Sequence, residues 1–373
     1  ERIKPKRHMV LLTLKTMKTE HILIIRFSAM GDVAMTVPIV YSLAATYPNI
    51  RITVLSRPFA RPLFENLAPN IGFMEADLKN EYHGVKGLNK LYRRLIAKNF
   101  TAIADLHDVL RTKYLRMRFD LASFNVEHIN KHRSGKRQLC APDNKKKKVQ
   151  QPTSFDNYCE VFEKLGYPVQ PFFRSIFGHS KGNISKLPSP LNTPKNQEQW
   201  IGIAPFAAHK GKIYPLEKME KVMENILENH PERHIYLFGG GKKEKNQFKE
   251  WVDKYPRCIN VSNHLSGLGE ELILMSHLNV MISMDSANMH LASLVGIPVV
   301  SVWGATHPFA GFMGWNQSNK NAIQIDLECR PCSIYGNKPC LRGDFACMNR
   351  LQPQLIIDRV NAILNQKANE EPA

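Results

Sequence analysis

No apolar run in the 373 residues reaches the ~18 that a membrane-crossing helix needs, so a chain built on spanning helices is excluded. The start, ERIKPKRHMVLLTLKT, has a basic opening but no long apolar segment and no small-residue cleavage site, so it does not read as a signal peptide. We take residues 1–16 as an upstream extension, with Met17 directly before the first strand. G-x-G-x-x-G is missing after that strand, which leaves a dinucleotide cofactor unindicated. Zinc-finger, RRM and KH signatures are also missing, so nothing in the motifs supports a nucleic-acid-binding protein. Seven cysteines are too few for a secreted disulfide scaffold of this size.

Acids are the other scarcity. Thirty-three Asp and Glu face 51 Lys and Arg, a net charge of +18, and such an excess points to polyanionic partners or, more plainly, to surface solubility. The excess is concentrated: residues 111–148 carry twelve Lys/Arg against three acids, half the net charge. The stretch from Lys131 to Thr153, basic and poor in apolar residues, reads as a mobile loop.

What is present is alternation. Apolar β-branched runs such as HILIIRF (His21–Phe27) and RITVLS (Arg51–Ser56) alternate with helical patterns, the signature of βαβ units and a parallel sheet. A single helix is expected over Val33–Thr46, and strands at Ala102–Asp105 and Ser123–Val126. Residues 166–198 suit a connection. The pattern restarts at WIGIA (Trp200–Ala204) and continues through HIYLF, Val280–Met284 and Pro298–Trp303. The fold class is therefore α/β: two Rossmann-like, doubly wound parallel-sheet domains, over 17–180 and 181–373, facing across a cleft. A final helix over Gln354–Gln366 could pack on either half. Ligands of such sheets sit beyond the carboxyl ends of the strands.

Four strand ends carry chemistry. In RFSAMGD (Arg26–Asp32), small residues and one glycine let the backbone turn, and Asp32 stands near a helix start, where Asp is also a preferred cap. In MDSANMH (Met284–His290), the free N–H groups of Ser286, Ala287 and Asn288 form a natural diphosphate pocket, while Asp285 could cap that helix and His290 could be a core histidine. In HKGKIYP (His209–Pro215), Lys212 either neutralises a phosphate or is a solvated surface lysine. Gly239–Gly241 with Glu244 beyond either admits a nucleoside, with the acid on ribose hydroxyls, or is a flexible turn.

These residues resemble the lipopolysaccharide heptosyltransferase family (glycosyltransferase family 9) from about His21 to His307. RFSAMGD is similar to the family's Ser-x-x-Gly-Asp turn, and Lys212-Ile213-Tyr214-Pro215 to its Lys-x-aromatic-Pro. MDSANMHLASLVGIPVVSVWGATHP resembles its Asp-Ser/Thr-Gly-x-x-His helix, Gly-x-Pro strand and Gly-x-Thr-x-Pro loop, with Ala287 in place of the usual Gly. The resemblance implies a GT-B fold and an inverting, metal-independent glycosyltransferase with no cofactor. Asp32 would be the general base; Lys212, Glu244, Asp285, Ser286, Ala287 and His290 would hold the donor. An ADP-sugar, heptose in particular, is the implied co-substrate. A lipopolysaccharide or lipooligosaccharide core is the implied acceptor, a phosphorylated glycolipid met by Ser28 and by the basic residues Arg111, Lys113, Arg116, Arg133, Lys136 and Arg137. Cytoplasmic location, peripheral to the inner membrane and in contact with its anionic face, follows from the same resemblance. Transfer of another hexose or amino sugar fits the same pattern. Cys329, Cys332, Cys340 and Cys347, spaced C-x2-C, then seven residues, then six, match no standard zinc ribbon and are expected as structural thiols, free or paired.

Overall fold

The computed structural model describes residues 20–193 and 197–370; the extension expected over 1–16, and Met17, lie outside the described residues. Eleven strands form two sheets among them: β1 (His21–Ile25), β2 (Arg51–Ser56), β3 (Ile71–Glu75), β4 (Ala102–Asp105) and β5 (Asn125–His128), then β6 (Gln199–Ala204), β7 (Arg233–Leu237), β8 (Cys258–Asn260), β9 (Val280–Met284), β10 (Val299–Val302) and β11 (Ala322–Ile323). The first sheet runs β3-β2-β1-β4-β5 and the second β11-β10-β9-β6-β7-β8, with every pairing parallel. β1, β9 and β10 are buried along their whole length, as a parallel strand covered on both faces requires. In each sheet the chain reverses its winding once, between β1 and β4 and between β6 and β9. The carboxyl ends at those two reversals are where doubly wound sheets place ligands.

One expected helix is two. Helices Met30–Ala34 and Val37–Thr46 are separated because Pro38 would drive its ring against the carbonyl of Ala34 in a continuous helix. The first helix starts before Val33, so Asp32 lies inside its first turn. The last strand of the first sheet starts two residues later than expected, because Ser123 adopts φ +58° and breaks the extended run. Lys131–Thr153 is not a free loop. Residues Arg133–Leu139 form a helix that buries Lys136 and Leu139. The following segment laces onto the other half through Lys146 Nζ to the Glu328 carbonyl (2.8 Å), Lys148 to Asp326 (2.9 Å), Gln151 N to the Phe309 carbonyl (2.8 Å) and Ser154 N to the Gly311 carbonyl (3.1 Å). Its order comes from hydrogen bonds to distant backbone, which apolar periodicity does not register. The C-terminal helix, Pro353–Glu370, settles on the second half, sharing its core through Ile356, Ile357, Val360, Ile363 and Leu364.

The two halves touch. The helix Met30–Ala34 packs on the helix Ala287–Leu294, and Val33, Val37, Met289 and Leu291 belong to one buried cluster. The elements that follow β1 and β9 therefore meet across the cleft.

Candidate active site

Asp32 is the third residue of its helix, and its Oδ2 accepts the Ala29 N–H at 3.0 Å. The capping role open to it is thus real, but it uses one oxygen. Oδ1 lies 3.0 Å from the Arg26 guanidinium, and the side chain keeps 35% of its exposure. Burial pushes the Asp32 carboxyl upward; Arg26, the Ala29 N–H and the field of His290 outweigh it and carry the pKa below the usual value. Arg26 itself is buried, and also donates to the Leu106 carbonyl. Tyr158 donates to the Asp32 carbonyl at 3.3 Å, its hydroxyl pushed up to about 12 by burial.

Asp32 opens into a cavity of about 200 Å³ lined by Ser28, His107, Lys131, Lys136, Asn157 and Tyr158 from the first half, and by Phe312 and Tyr335 from the second. His107 follows β4, directly beside β1. Burial, then the nearby Arg26, lowers its pKa to about 3, so its ring is neutral. Nδ1 faces the Phe27 N–H at 3.4 Å and Nε2 faces Ser28 Oγ at 3.3 Å. An accepting Nδ1 assigns the proton to Nε2, which leaves the Ser28 hydroxyl hydrogen free to donate into the cavity. Lys136 is only 7% exposed and lies over the Phe312 ring at 4.4 Å. Burial lowers its pKa to about 8 against the opposing pull of Asp32. Lys131 donates to the Asp108 carbonyl at 3.1 Å, its pKa lowered by burial and by Arg26.

The remaining basic residues divide. Arg116 is held inside ion pairs with Asp105 (3.1 Å) and Asp108 (3.4 Å) and so shapes the turn after β4. Arg133 and Lys113 also reach Asp108, at 3.3 and 3.6 Å, but stay exposed. Arg111 and Arg137 are exposed.

On the other half, Lys212 Nζ lies 3.1 Å from Asp285. One residue follows β6 and the other β9, so the pair marks the second winding reversal. Ser286 is the N-cap of the helix Ala287–Leu294. Its first N–H groups have no partner within the helix. His290 is buried, its Nδ1 has no partner among the described residues, and burial lowers its pKa to about 4 despite Asp285 and Asp32 nearby. A Cβ on Gly31 would stand 2.8 Å from the His290 ring and 3.4 Å from the Ala287 Cα. The Asp32 turn and the start of the Ala287–Leu294 helix are thus in contact. Glu244 is set apart: its Oε2 accepts the N–H groups of Gly240 (2.8 Å) and Gly241 (3.1 Å), closing the glycine turn over its own helix. Oε1 has no partner among the described residues.

Sequence reasoning passed over His107, Lys131, Asn157, Tyr158, Phe312 and Tyr335. For His107 the signal was available, since it lies two residues past the end of β4, the strand beside β1. Phe312 and Tyr335 arrive from the far half by tertiary folding alone. Arg330 was also missed. It is buried among the thiol-bearing loops and donates to the carbonyls of Trp303, Gly304, Thr306 and Ile325 and to Gln324, which fixes the loop after β10. Cys329, Cys332, Cys340 and Cys347 surround it, all as free thiols. Burial pushes the Cys347 thiol up to about 11.

The model of glycosyltransferase family 9 (heptosyltransferase) matches residues 88–339, well over half of the chain. The chain belongs to glycosyltransferase family 9. The matched stretch contains Lys212, Glu244, Asp285, Ser286, Ala287 and His290, and the Asp32 turn precedes it. Among curated members, the chain is 25% identical over 173 residues to lipooligosaccharide heptosyltransferase 2 of Campylobacter jejuni, spanning about half of that relative (45% of this chain, 52% of the other). It is 24% identical over 302 residues to the lipopolysaccharide core heptosyltransferase OpsX of Haemophilus influenzae, covering 80% and 82%. The ADP-heptose heptosyltransferase II structure from Escherichia coli superposes with a TM-score of 0.65 at 18% identity, over 93% of this chain and 99% of the other. The family 9 structure from Veillonella parvula gives 0.69 at 19%, over 93% and 98%. These likenesses establish the two-sheet GT-B fold.

Proposed function

We propose that the chain transfers a heptose from ADP-heptose to a hydroxyl of a lipopolysaccharide or lipooligosaccharide core, with inversion and without a metal ion. The observation that carries this reading is the contact of the Asp32 turn with the Ala287–Leu294 helix. It brings the Asp32 carboxylate opposite the start of that helix, whose free N–H groups suit a diphosphate. Among the described residues Asp32 is also the one acid lining its cavity. A double displacement needs a second carboxylate about 5 Å away to act as nucleophile; a single displacement needs one base, and inverts. Asp32 takes the acceptor proton as the new bond forms, an effect worth roughly 10²–10⁴-fold. The leaving diphosphate gathers charge at Lys212 and at the N–H groups that begin the Ala287–Leu294 helix, which supply the stabilisation a divalent cation supplies elsewhere. In this reading Glu244 Oε1 accepts the ribose hydroxyls. Ser28 and Lys136 receive the acceptor, with Lys113, Arg111, Arg133 and Arg137 around the mouth as an electrostatic guide for its phosphates. The domain division at about residue 180 belongs to the same proposal.

The test is transfer from ADP-heptose to a purified core acceptor with chelator present, followed by assignment of the new anomeric bond. Asp32→Asn should lose at least ~10²-fold in kcat while still binding ADP. Near-normal turnover by that variant, or retained configuration, refutes the mechanism.

A further inference from the structure

The helix Leu110–Leu121 has two apolar faces. Thr112, Leu115 and Phe119 are buried against the first sheet, and the opposite face would ordinarily be polar. Instead it presents Leu110 (85% exposed), Met117 (48%) and Leu121 (78%). With half-buried Tyr114 these stand at i, i+4, i+7 and i+11, one stripe along the helix. Arg111 and Lys113 are exposed beside the stripe and Arg118 is half-buried. The helix has four Lys/Arg and one acid, Asp120. The helix packed next to it, Gly84–Ile96, adds exposed Lys86 and Arg93 and has no acid of its own. Of the nearby carboxylates, Asp108 is paired with Arg116, Arg133 and Lys113 and Glu81 with Lys90, which leaves Asp120 as the exposed acid on the helix itself.

We propose that this face docks on an anionic lipid leaflet, with Leu110, Met117 and Leu121 entering the headgroup boundary and the flanking cations meeting lipid phosphates. An apolar stripe edged by cations is the chemistry of an interfacial helix, and a second protein surface would have to match both its grease and its one-sided charge. The position fits the site. Val109 lines the Asp32 cavity and Leu110 is the next residue, so the stripe starts at the cavity mouth. This deepens, and for its placement rests on, the reading that the acceptor is lipid-linked: an acceptor anchored in the leaflet then offers its saccharide to Asp32 without leaving the bilayer.

The experiment sediments the full chain with phosphatidylcholine vesicles with and without phosphatidylglycerol. Wild type should partition onto the anionic vesicles only. The triple variant Leu110→Ser, Met117→Ser, Leu121→Ser should lose at least about tenfold in partition, and Leu355→Ser, an exposed leucine on the C-terminal helix, should lose nothing. Leu121→Ser alone, at the helix end, should weaken partition measurably if the triple variant melts early. Equal partition by wild type and triple variant overturns the proposal. So does a wild-type dimer in gel filtration that the triple variant dissolves, which would make a second copy the occupant. Activity separates this proposal from the transferase reading. The triple variant should glycosylate a lipid-free core saccharide at the wild-type rate and a vesicle-embedded one slowly. If wild type glycosylates neither, the transferase reading fails and the vesicle arm still decides the docking face.

Discussion

Gly31→Ala isolates the contact on which the proposed mechanism depends. In an ordinary helix the change is favourable by about 0.8–1 kcal/mol, because glycine is the poorer helix former. Here the added carbon would stand 2.8 Å from the His290 ring, against about 3.5 Å for a relaxed carbon contact. Something must therefore yield by roughly 0.7 Å. Overpacking inside a core costs about 1–3 kcal/mol, enough to cancel the helix gain. Gly31 lies where the two halves meet, however, so the cheaper relief is to part them by that distance. Asp32, the next residue, then retreats from the donor. Displacement of a reacting group by about 1 Å is worth up to ~10² in rate. The expected result is a kcat lower by ~10–10² at saturating donor, with a melting temperature within a few degrees of wild type. Gly267→Ala is the control, since a Cβ there meets nothing within 4 Å. Steady-state kinetics and thermal melts of the three proteins check it. Wild-type kcat in Gly31→Ala would show that the two turns need not touch for transfer, and the geometric argument would fall.

Lys136, with a pKa of about 8, should lose its charge from that pH upward, so the KM for an anionic acceptor should climb between about pH 7 and 9 (roughly one unit either side of that value) with little change in kcat, and the climb should vanish in Lys136→Met. Its folded pKa lies below the unfolded value near 10.4, so the folded chain binds fewer protons between the two. Wild-type stability relative to Lys136→Met should therefore rise with pH across that window, and a flat difference refutes the assignment. Lys212→Met should cut kcat/KM by ~10²-fold and also lower stability by about 3–5 kcal/mol, because Asp285 is left buried without its cation. Adding Asp285→Asn should restore the melting temperature and leave activity low; recovered activity would deny Lys212 its role on the diphosphate. Arg330→Met strands four carbonyls and one amide oxygen, at a cost on the order of 3 kcal/mol or more, read as a melting temperature lower by roughly 6 °C or more; an unchanged melt would show that water replaces the guanidinium.

The parts of the fold legible in the sequence were those written in local pattern. Buried parallel strands carry their burial in unbroken apolar runs, and Arg51–Ser56, Ala102–Asp105 and Val280–Met284 begin and end where those runs do. Strand ends also led to Asp32, Lys212, Asp285 and His290, because in a doubly wound sheet the positions after the strands at a winding reversal are fixed by topology. What stayed hidden depends on partners far away in the chain. The basic segment after Lys131 looked unstructured because its bonds run to backbone far away in the chain, 158 residues on for Gln151 N to the Phe309 carbonyl and 182 for Lys146 to that of Glu328. Arg330 carries no local mark of its burial, because the carbonyls it meets come together only in the fold. Gly31 was legible as a glycine and misread in purpose: its turn is helical, and what it provides is room for His290.

The electrostatics of Asp32 look unfavourable for a base until the reaction's timing is included. Arg26 and the Ala29 N–H hold its carboxylate charged and lower its proton affinity, and each unit of pKa lost costs about 1.4 kcal/mol of driving force. A base that had to deprotonate a free sugar hydroxyl first would be crippled by such neighbours. In a displacement through an oxocarbenium-like state the hydroxyl becomes acidic only as its oxygen bonds to the anomeric carbon, so a weak base placed correctly suffices and a strong one gains little. Arg26 then serves position rather than strength, fixing Oδ1 while Ala29 fixes Oδ2. The contact at Gly31, not the basicity of the carboxylate, becomes the quantity on which the rate depends.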